Sequence, residues 1–169
     1  TTWSPLGTGC NGIVEGLAFA ADGGGGMVVY ACGQFTAAGG APAARVAKWA
    51  AGAWSAMGAG VDSTGDAIVV MPLPGGGHDV YLGGTFHHSG AVPVERIARW
   101  NGAAWEQVGA GFDRGVHFLG TWNGQVLAGG NLTVSGGASL GFLAAWDGDA
   151  WQPVGGKGMR GSYGLDHAV

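Results

Sequence analysis

Short apolar runs alternate with clusters of Gly, Pro, Asn and Asp along the whole chain, and no stretch keeps its apolar residues at sustained helical spacing. In the middle of the chain the runs fall at about 66–71, 79–86, 96–100 and 105–108. They are rich in β-branched and aromatic residues, which predicts four strands. Trp122-Asn123-Gly124-Gln125 places Asn-Gly between two apolar runs, the composition of a two-residue type I′ hairpin. Asn101-Gly102 and Asp147-Gly148 give the same signal between pairs of tryptophans.

The pattern repeats. Trp3, Trp54, Trp105 and Trp151 head successive units, at steps of 51, 51 and 46 residues. Four positions after each Trp stands Gly7, Gly58, Gly109 or Gly155. A second glycine follows at Gly9, Gly60 and Gly111, with Lys157 in the fourth place. Each unit runs on through Phe35, Phe86 or Leu132 and closes on Val46-Ala47-Lys48-Trp49, Ile97-Ala98-Arg99-Trp100 or Leu143-Ala144-Ala145-Trp146. Longer hairpin tips, ADGGGG and PLPGGG, account for most of the extra length of the first two units.

Four antiparallel strands repeated at this period predict an all-β fold of β-propeller-type blades, about three complete ones plus partial strands at both ends. The units lie at approximately 3–53, 54–104, 105–150 and, partially, 151–169, within a single repeat domain over 1–169. A single blade cannot bury both of its faces, so blades must stack. Trp3, Trp49, Trp54, Trp100, Trp105, Trp146 and Trp151, with Phe35 and Phe86, are therefore expected as core pieces between blades. A regular fourth blade would need more chain than 169 residues. The expectation is that the chain is an excerpt of a longer one, or that copies join end to end through open blade edges.

Composition narrows the classes. Glycine supplies 38 residues and proline 6, but at fixed places in the repeat, as turns and bulges rather than as low complexity. Charged residues are only 11% and the formal net charge is −4. Nucleic-acid binding needs clustered cations, and the seven basic residues are scattered. No apolar run approaches the ~18 residues of a membrane-spanning helix. The two cysteines, Cys10 and Cys32, lie in the first unit without counterparts later. A disulfide and two free thiols are both open readings.

The pattern of Gly-Gly before an aromatic, a Gly-containing turn and then I-A-x-W-[ND]-G-x-x-W, as in Gly83-Gly84 through Trp105, resembles the kelch and galactose-oxidase central-domain class of propeller. It is most similar to the repeats of Rax2-type cortical cell-polarity proteins and related secreted repeat proteins. The resemblance covers nearly the whole chain and implies an extracellular or cell-surface, glycosylated, non-enzymatic protein. The first unit departs from it: Ala50-Ala51 replaces Asn/Asp-Gly, and Cys32-Gly33 replaces Gly-Gly.

The candidate sites are few. Asn131-Leu132-Thr133 is the one N-glycosylation sequon. Strand alternation turns Leu132 inward and Asn131 outward. Asn11, Asp62 and Asp113 recur after the GxG turn and could hold Ca²⁺ at a central channel. The simpler expectation is that each caps its own backbone in an Asx-turn. Asp147-Gly148-Asp149 reads as a tight turn rather than a calcium loop. His78, His87 and His88 fall within eleven residues, but neighbours on an extended chain point to opposite faces. Arg45 and Arg96 recur before the third strand and read as structural contacts. No nucleophile elbow or paired-carboxylate constellation stands out among Glu15, Glu95, Glu106 and the turn aspartates.

The sequence thus leads to a non-enzymatic extracellular or cell-surface structural or interaction module, built of blades and self-assembling or part of a larger propeller. It needs no cofactor, and its partner is another protein or itself. The alternatives are a carbohydrate-binding propeller lectin and a non-catalytic fragment of a secreted oxidase or glycosidase.

Overall fold

A computed structural model describes residue 2 and residues 4–155. Trp3 and the partial strand expected at Ser162–Val169 lie outside the described residues. All regular structure among the described residues is β-strand. No helix there is long and apolar enough to cross a membrane.

Three four-stranded antiparallel blades follow one another. The first is made of β1 (Val14–Ala21), β2 (Met27–Gly33), β5 (Val46–Ala50) and β6 (Ala53–Ala56), in that order. The second is β7 (Gly65–Pro72), β8 (His78–Gly84), β11 (Ile97–Trp100) and β12 (Trp105–Gln107). The third is β13 (Val116–Trp122), β14 (Gln125–Gly130), β17 (Leu143–Trp146) and β18 (Trp151–Pro153). Between the second and third strands of each blade sits a two-residue ribbon: β3 (Ala37–Ala38) with β4 (Ala41–Pro42), β9 (His88–Ser89) with β10 (Val92–Pro93), and β15 (Val134–Ser135) with β16 (Ala138–Ser139). Neighbouring blades approach most closely along β1, β7 and β13, so these are the inner strands.

Each blade has a front face toward the blade before it and a rear face toward the blade after it. Strand alternation assigns the residues. The rear of blade 1, with Ala18, Val28, Tyr30, Cys32 and Val46, packs on the front of blade 2, with Ile68, Val80, Leu82, Ala98 and Trp100. The rear of blade 2, with Val69, Tyr81 and Ile97, packs on the front of blade 3, with Leu119, Val126, Ala128 and Trp151. Phe35, Phe86 and Leu132 sit just beyond their second strands, wholly buried. The stacking expected of the repeat is therefore the packing observed.

The glycines of the repeat are explained by close approach. A Cβ on Gly33, Gly84 or Gly130 would lie 2.0, 2.1 or 2.6 Å from the carbonyl oxygen of Ile13, Thr64 or Gly115. Hence only the second residue of each Gly-Gly pair is fixed, and the first can be Cys32. At Gly60 and Gly111 a Cβ would meet the preceding blade's Ala44 oxygen at 2.1 Å or Glu95 oxygen at 2.6 Å, and φ is +66° at both.

Of the three hairpin turns expected to be type I′, one is. The Asn123-Gly124 hairpin has φ of 49° and 75°, as a type I′ turn requires. Asn101 and Asp147 do not make that turn. Each side-chain oxygen accepts two backbone N–H groups, from Ala103 and Ala104 or from Asp149 and Ala150, across a four-residue loop. Ala50 has no such acceptor. The ladder of blade 1 therefore runs one pair further, Ala50 opposite Ala53, and Ala51-Gly52 turns with φ of 50° and 80°. The unit that departs from the motif holds the tight turn the motif predicted elsewhere. Finally, Ser4–Leu6, expected in an outer strand, are not in one.

Candidate functional site

Asn11, Asp62 and Asp113 occupy one position in each blade, just before the inner strand. Asn11 Oδ1 accepts the N–H groups of Thr36 and Ala37 at 2.8 and 2.9 Å. Asp113 Oδ1 does the same for Thr133 and Val134, at 2.8 and 2.9 Å. Asp62 Oδ1 takes His87 N–H at 2.8 Å. These are not Asx-turns. The partners lie 20 to 26 residues downstream, so each side chain clasps the lead-in of its inner strand to the loop leaving the second. Burial opposes ionisation of Asp113, yet the Thr133 hydroxyl and the backbone N–H groups outweigh it and hold the carboxyl down at about 2. The oxygens that a calcium ion would need are already committed.

Blade 2 adds the most charge around this clasp, where blade 3 has only Arg114 Nε 3.8 Å from Asp113 Oδ2. Asp62 Oδ2 meets His88 Nδ1 at 3.2 Å. His87 Nδ1 meets Glu95 Oε2 at 2.8 Å, and His87 Nε2 faces Arg96 Nη2 at 3.1 Å. Arg96 also donates to the carbonyl of Phe112, on the approach to blade 3, at 3.2 Å. His78 lies apart, its Nε2 2.7 Å from the Tyr30 hydroxyl of blade 1. The three histidines thus go to three different partners. Among the described residues no group of three His, Cys, Asp or Glu side chains could hold a metal. Asp147 Oδ2 likewise accepts Gln152, completing its turn.

Arg45, Arg96 and Phe142 share a repeat position with φ of 68°, 66° and 74°. Their carbonyls accept Gly33, Gly84 and Gly130 N–H. Recurrence in all three blades makes this strained conformation part of the frame, and the arginines' identity is incidental to it.

Trp100, Trp105, Trp146 and Trp151 line the joints between blades, whereas Trp49 and Trp54, expected there too, lie half-buried on the front of blade 1. Trp49 and Trp54, Trp100 and Trp105, and Trp146 and Trp151 face each other across outer strand pairs, with ring centroids 5.6, 5.4 and 5.3 Å apart. The second Trp of each pair donates its indole N–H to the carbonyl before the repeat glycine of the preceding loop: Leu6, Met57 and Val108, at 2.8, 2.9 and 3.2 Å. The first Trp lies over that glycine. A Cβ on Gly7, Gly58 or Gly109 would touch Trp49, Trp100 or Trp146 at 3.0, 3.0 or 2.7 Å. The spacing of Trp to Gly within a unit shows in the sequence. That each Gly serves the tryptophan closing its own unit and the one heading the next does not.

Cys10 and Cys32 are both free. They work on opposite sides of blade 1: Cys10 packs with Ala31 and Phe35, Cys32 within the joint to blade 2. Burial, then the nearby Asp66 carboxylate, push the Cys32 thiol up to about 12. Asn131 is exposed, its N–H on the Gly115 carbonyl.

Compared with protein-family models, curated proteins and solved structures, the chain matches none of the three.

Proposed function

We propose that this chain is a non-enzymatic structural or interaction module of an extracellular or cell-surface protein, working through its blade surfaces. One observation carries the reading. The polar side chains at the repeat positions are spent on holding each blade together, while the two end faces of the stack present uncovered apolar side chains, among them Phe19 and Trp122. Surface apolar patches of this kind mark interaction sites. Secretion accords with the exposed sequon at Asn131. Expression in a secreting eukaryotic host tests it: the intact mass should exceed the sequence mass by an N-glycan, and Asn131→Gln should remove the excess. Unmodified, unsecreted protein would contradict the extracellular reading.

A lectin reading has one observation in its favour, exposed Trp122 and Phe118 on one face of β13, whose flat rings could stack on a sugar. A glycan array separates the two. Sugar binding lost in Trp122→Ala would replace the first reading with the second.

A further inference from the structure

We propose that the uncovered front of blade 1 and the uncovered rear of blade 3 are the two halves of one interface, joined between two copies of this chain packed head to tail. The proposal rests on the interaction-module reading and names its partner.

The repeat itself says what each end face fits. Within the chain a rear face meets a front face twice. Leu17, Phe19 and Trp49 on the front of blade 1 stand at the positions of Ile68, Val70 and Trp100 on blade 2. Ile68 is 7% exposed and Trp100 9% because blade 1 covers them, whereas Leu17 is 54% and Phe19 55% exposed. Phe118, Trp122 and Leu143 on the rear of blade 3 stand at the positions of Ala67, Met71 and Ile97. Ile97 is wholly buried against blade 3, whereas Phe118 is 55% and Trp122 46% exposed. At both ends the side chains left in water stand at positions that the same fold covers, wholly as at Ile68 or in part as at Val70, Ala67 and Met71, one blade further in.

The apolar character of both faces agrees with this pairing. The rear face of blade 3 has large aromatics, Phe118 and Trp122, where blade 2 has Ala67 and Met71. The front of blade 1 meets it with open apolar positions and no charged side chain along Leu17, Phe19, Met27, Val29 and Trp49. Charges that would keep a sheet face from pairing are absent from both surfaces. The glycine-and-tryptophan joint is also half-built at the entrance: Trp49 and Trp54 already hold the Leu6–Gly7 turn. A rear-to-front contact is heterologous, and closes only if the rotation returns to its start. Two copies of three blades make six, within the four to eight of known rings, so the expected assembly is a closed dimer.

The test is the mass in solution of the full chain at ~100 µM, by light scattering and sedimentation. The expected species has twice the 16.8 kDa of one chain. Phe19→Asp and Trp122→Asp, one on each face, should each abolish the closed dimer while keeping a cooperative melting transition, lowered only by the stabilisation that association gave the parent. Mixed together they should regain a dimer, because each retains the face the other lacks. Leu73→Asp, on a hairpin tip away from both faces, should leave the mass unchanged. Four results would overturn the proposal: a monomeric parent, open-ended filaments, a dimer that only one of the two aspartates breaks, or no recovery on mixing. A monomer whose Trp122 is shielded from acrylamide would show instead that residues 156–169 cover the rear face. A monomer that captures another protein would sink this proposal and leave the interaction-module reading standing. Turnover of a substrate by a dimer would do the reverse.

Discussion

Gly65 and Val116 are equivalent residues at the start of the inner strand, yet one has no side chain and the other is fully buried. Their neighbours explain this. A Cβ on Gly65 would lie 2.9 Å from Leu82 Cδ1 and 3.2 Å from Cys32 Cβ. At the second joint the residues equivalent to Cys32 and Leu82 are Gly83 and Ala128, and a Cβ on Gly83 would lie 2.6 Å from Val116 Cγ1. The two joints fill the same space from opposite sides. Gly65→Val alone overpacks the first joint, which should cost ~2 kcal/mol. Cys32→Gly alone empties a fully buried site and adds a glycine to a strand, together about 2–3 kcal/mol. Leu82→Ala alone should cost about 2–4 kcal/mol. Combined, the three changes rebuild the second joint's solution at the first. The triple variant should lose several kcal/mol less than the sum of the singles, well beyond the ~0.5 kcal/mol expected of independent sites. Urea unfolding followed by tryptophan fluorescence, with equal m-values across the set, measures it. A triple variant whose loss equals the sum would refute the account of how these blades interlock.

Three further outcomes follow from particular contacts. Trp105→Phe removes a buried indole N–H and leaves the Met57 carbonyl with the Gly60 N–H alone, so it should cost about 1 kcal/mol in urea unfolding, against under ~0.5 for Trp54→Phe, whose bond to Leu6 is exposed. Ala51→Asn should stabilise by about 0.5–1 kcal/mol, since Asn tolerates the φ of 50° that Ala51 is forced to adopt; a lowered melting temperature would contradict that. Asp113 has its folded pKa depressed to about 2 from 3.8, so its contribution is full above pH ~4 and is lost as pH falls toward 2. Asp113→Asn, the amide that Asn11 already uses, should therefore flatten stability across that window, which thermal melts at stepped pH would show.

Fold class was legible because period and strand chemistry agree. Val46 to Trp49 and its two echoes are strands in the structure, and Trp100 and Trp146 pack between sheets, though Trp49 does not. What escaped the sequence was which side chain bonds to which backbone group. Asn11, Asp62 and Asp113 looked like local turn caps because their N–H partners are 20 to 26 residues away, and nothing in a linear pattern marks that distance. Asn101 and Asp147 looked like type I′ turns because Asn-Gly and Asp-Gly serve both that turn and a side-chain-capped loop. Only the count of paired residues between Trp100 and Trp105 separates the two. Asn131 is exposed as expected, but it follows the strand end at Gly130, so its direction comes from the turn and not from alternation.

The division between repeated and unrepeated residues bears on function. Joints made of an indole N–H, a backbone carbonyl and a glycine ask nothing of the side chains elsewhere on the blade. The frame can therefore hold while a single blade varies, and blade 2 has done so: its counterparts have no equivalent of His87, His88 and Glu95, which gather with Arg96 around its clasp. Glu95 also holds the frame, since its carbonyl receives Phe112 N–H from the next blade's lead-in, but that bond needs only the backbone. The Glu95 carboxylate and both imidazoles are dispensable to folding by the standard of blades 1 and 3, which have Ala44 and Gly141 at the position of Glu95, and Thr36-Ala37 and Thr133-Val134 at that of the histidines. Replacing His87, His88 and Glu95 together by the residues of blade 1, Thr, Ala and Ala, should leave urea stability within about 1 kcal/mol, because the pairs removed are largely exposed and weak. A loss of several kcal/mol would show that blade 2 depends on its charges and that the frame is not self-sufficient. Unchanged stability would mark this cluster as the part of the molecule free to meet something outside it.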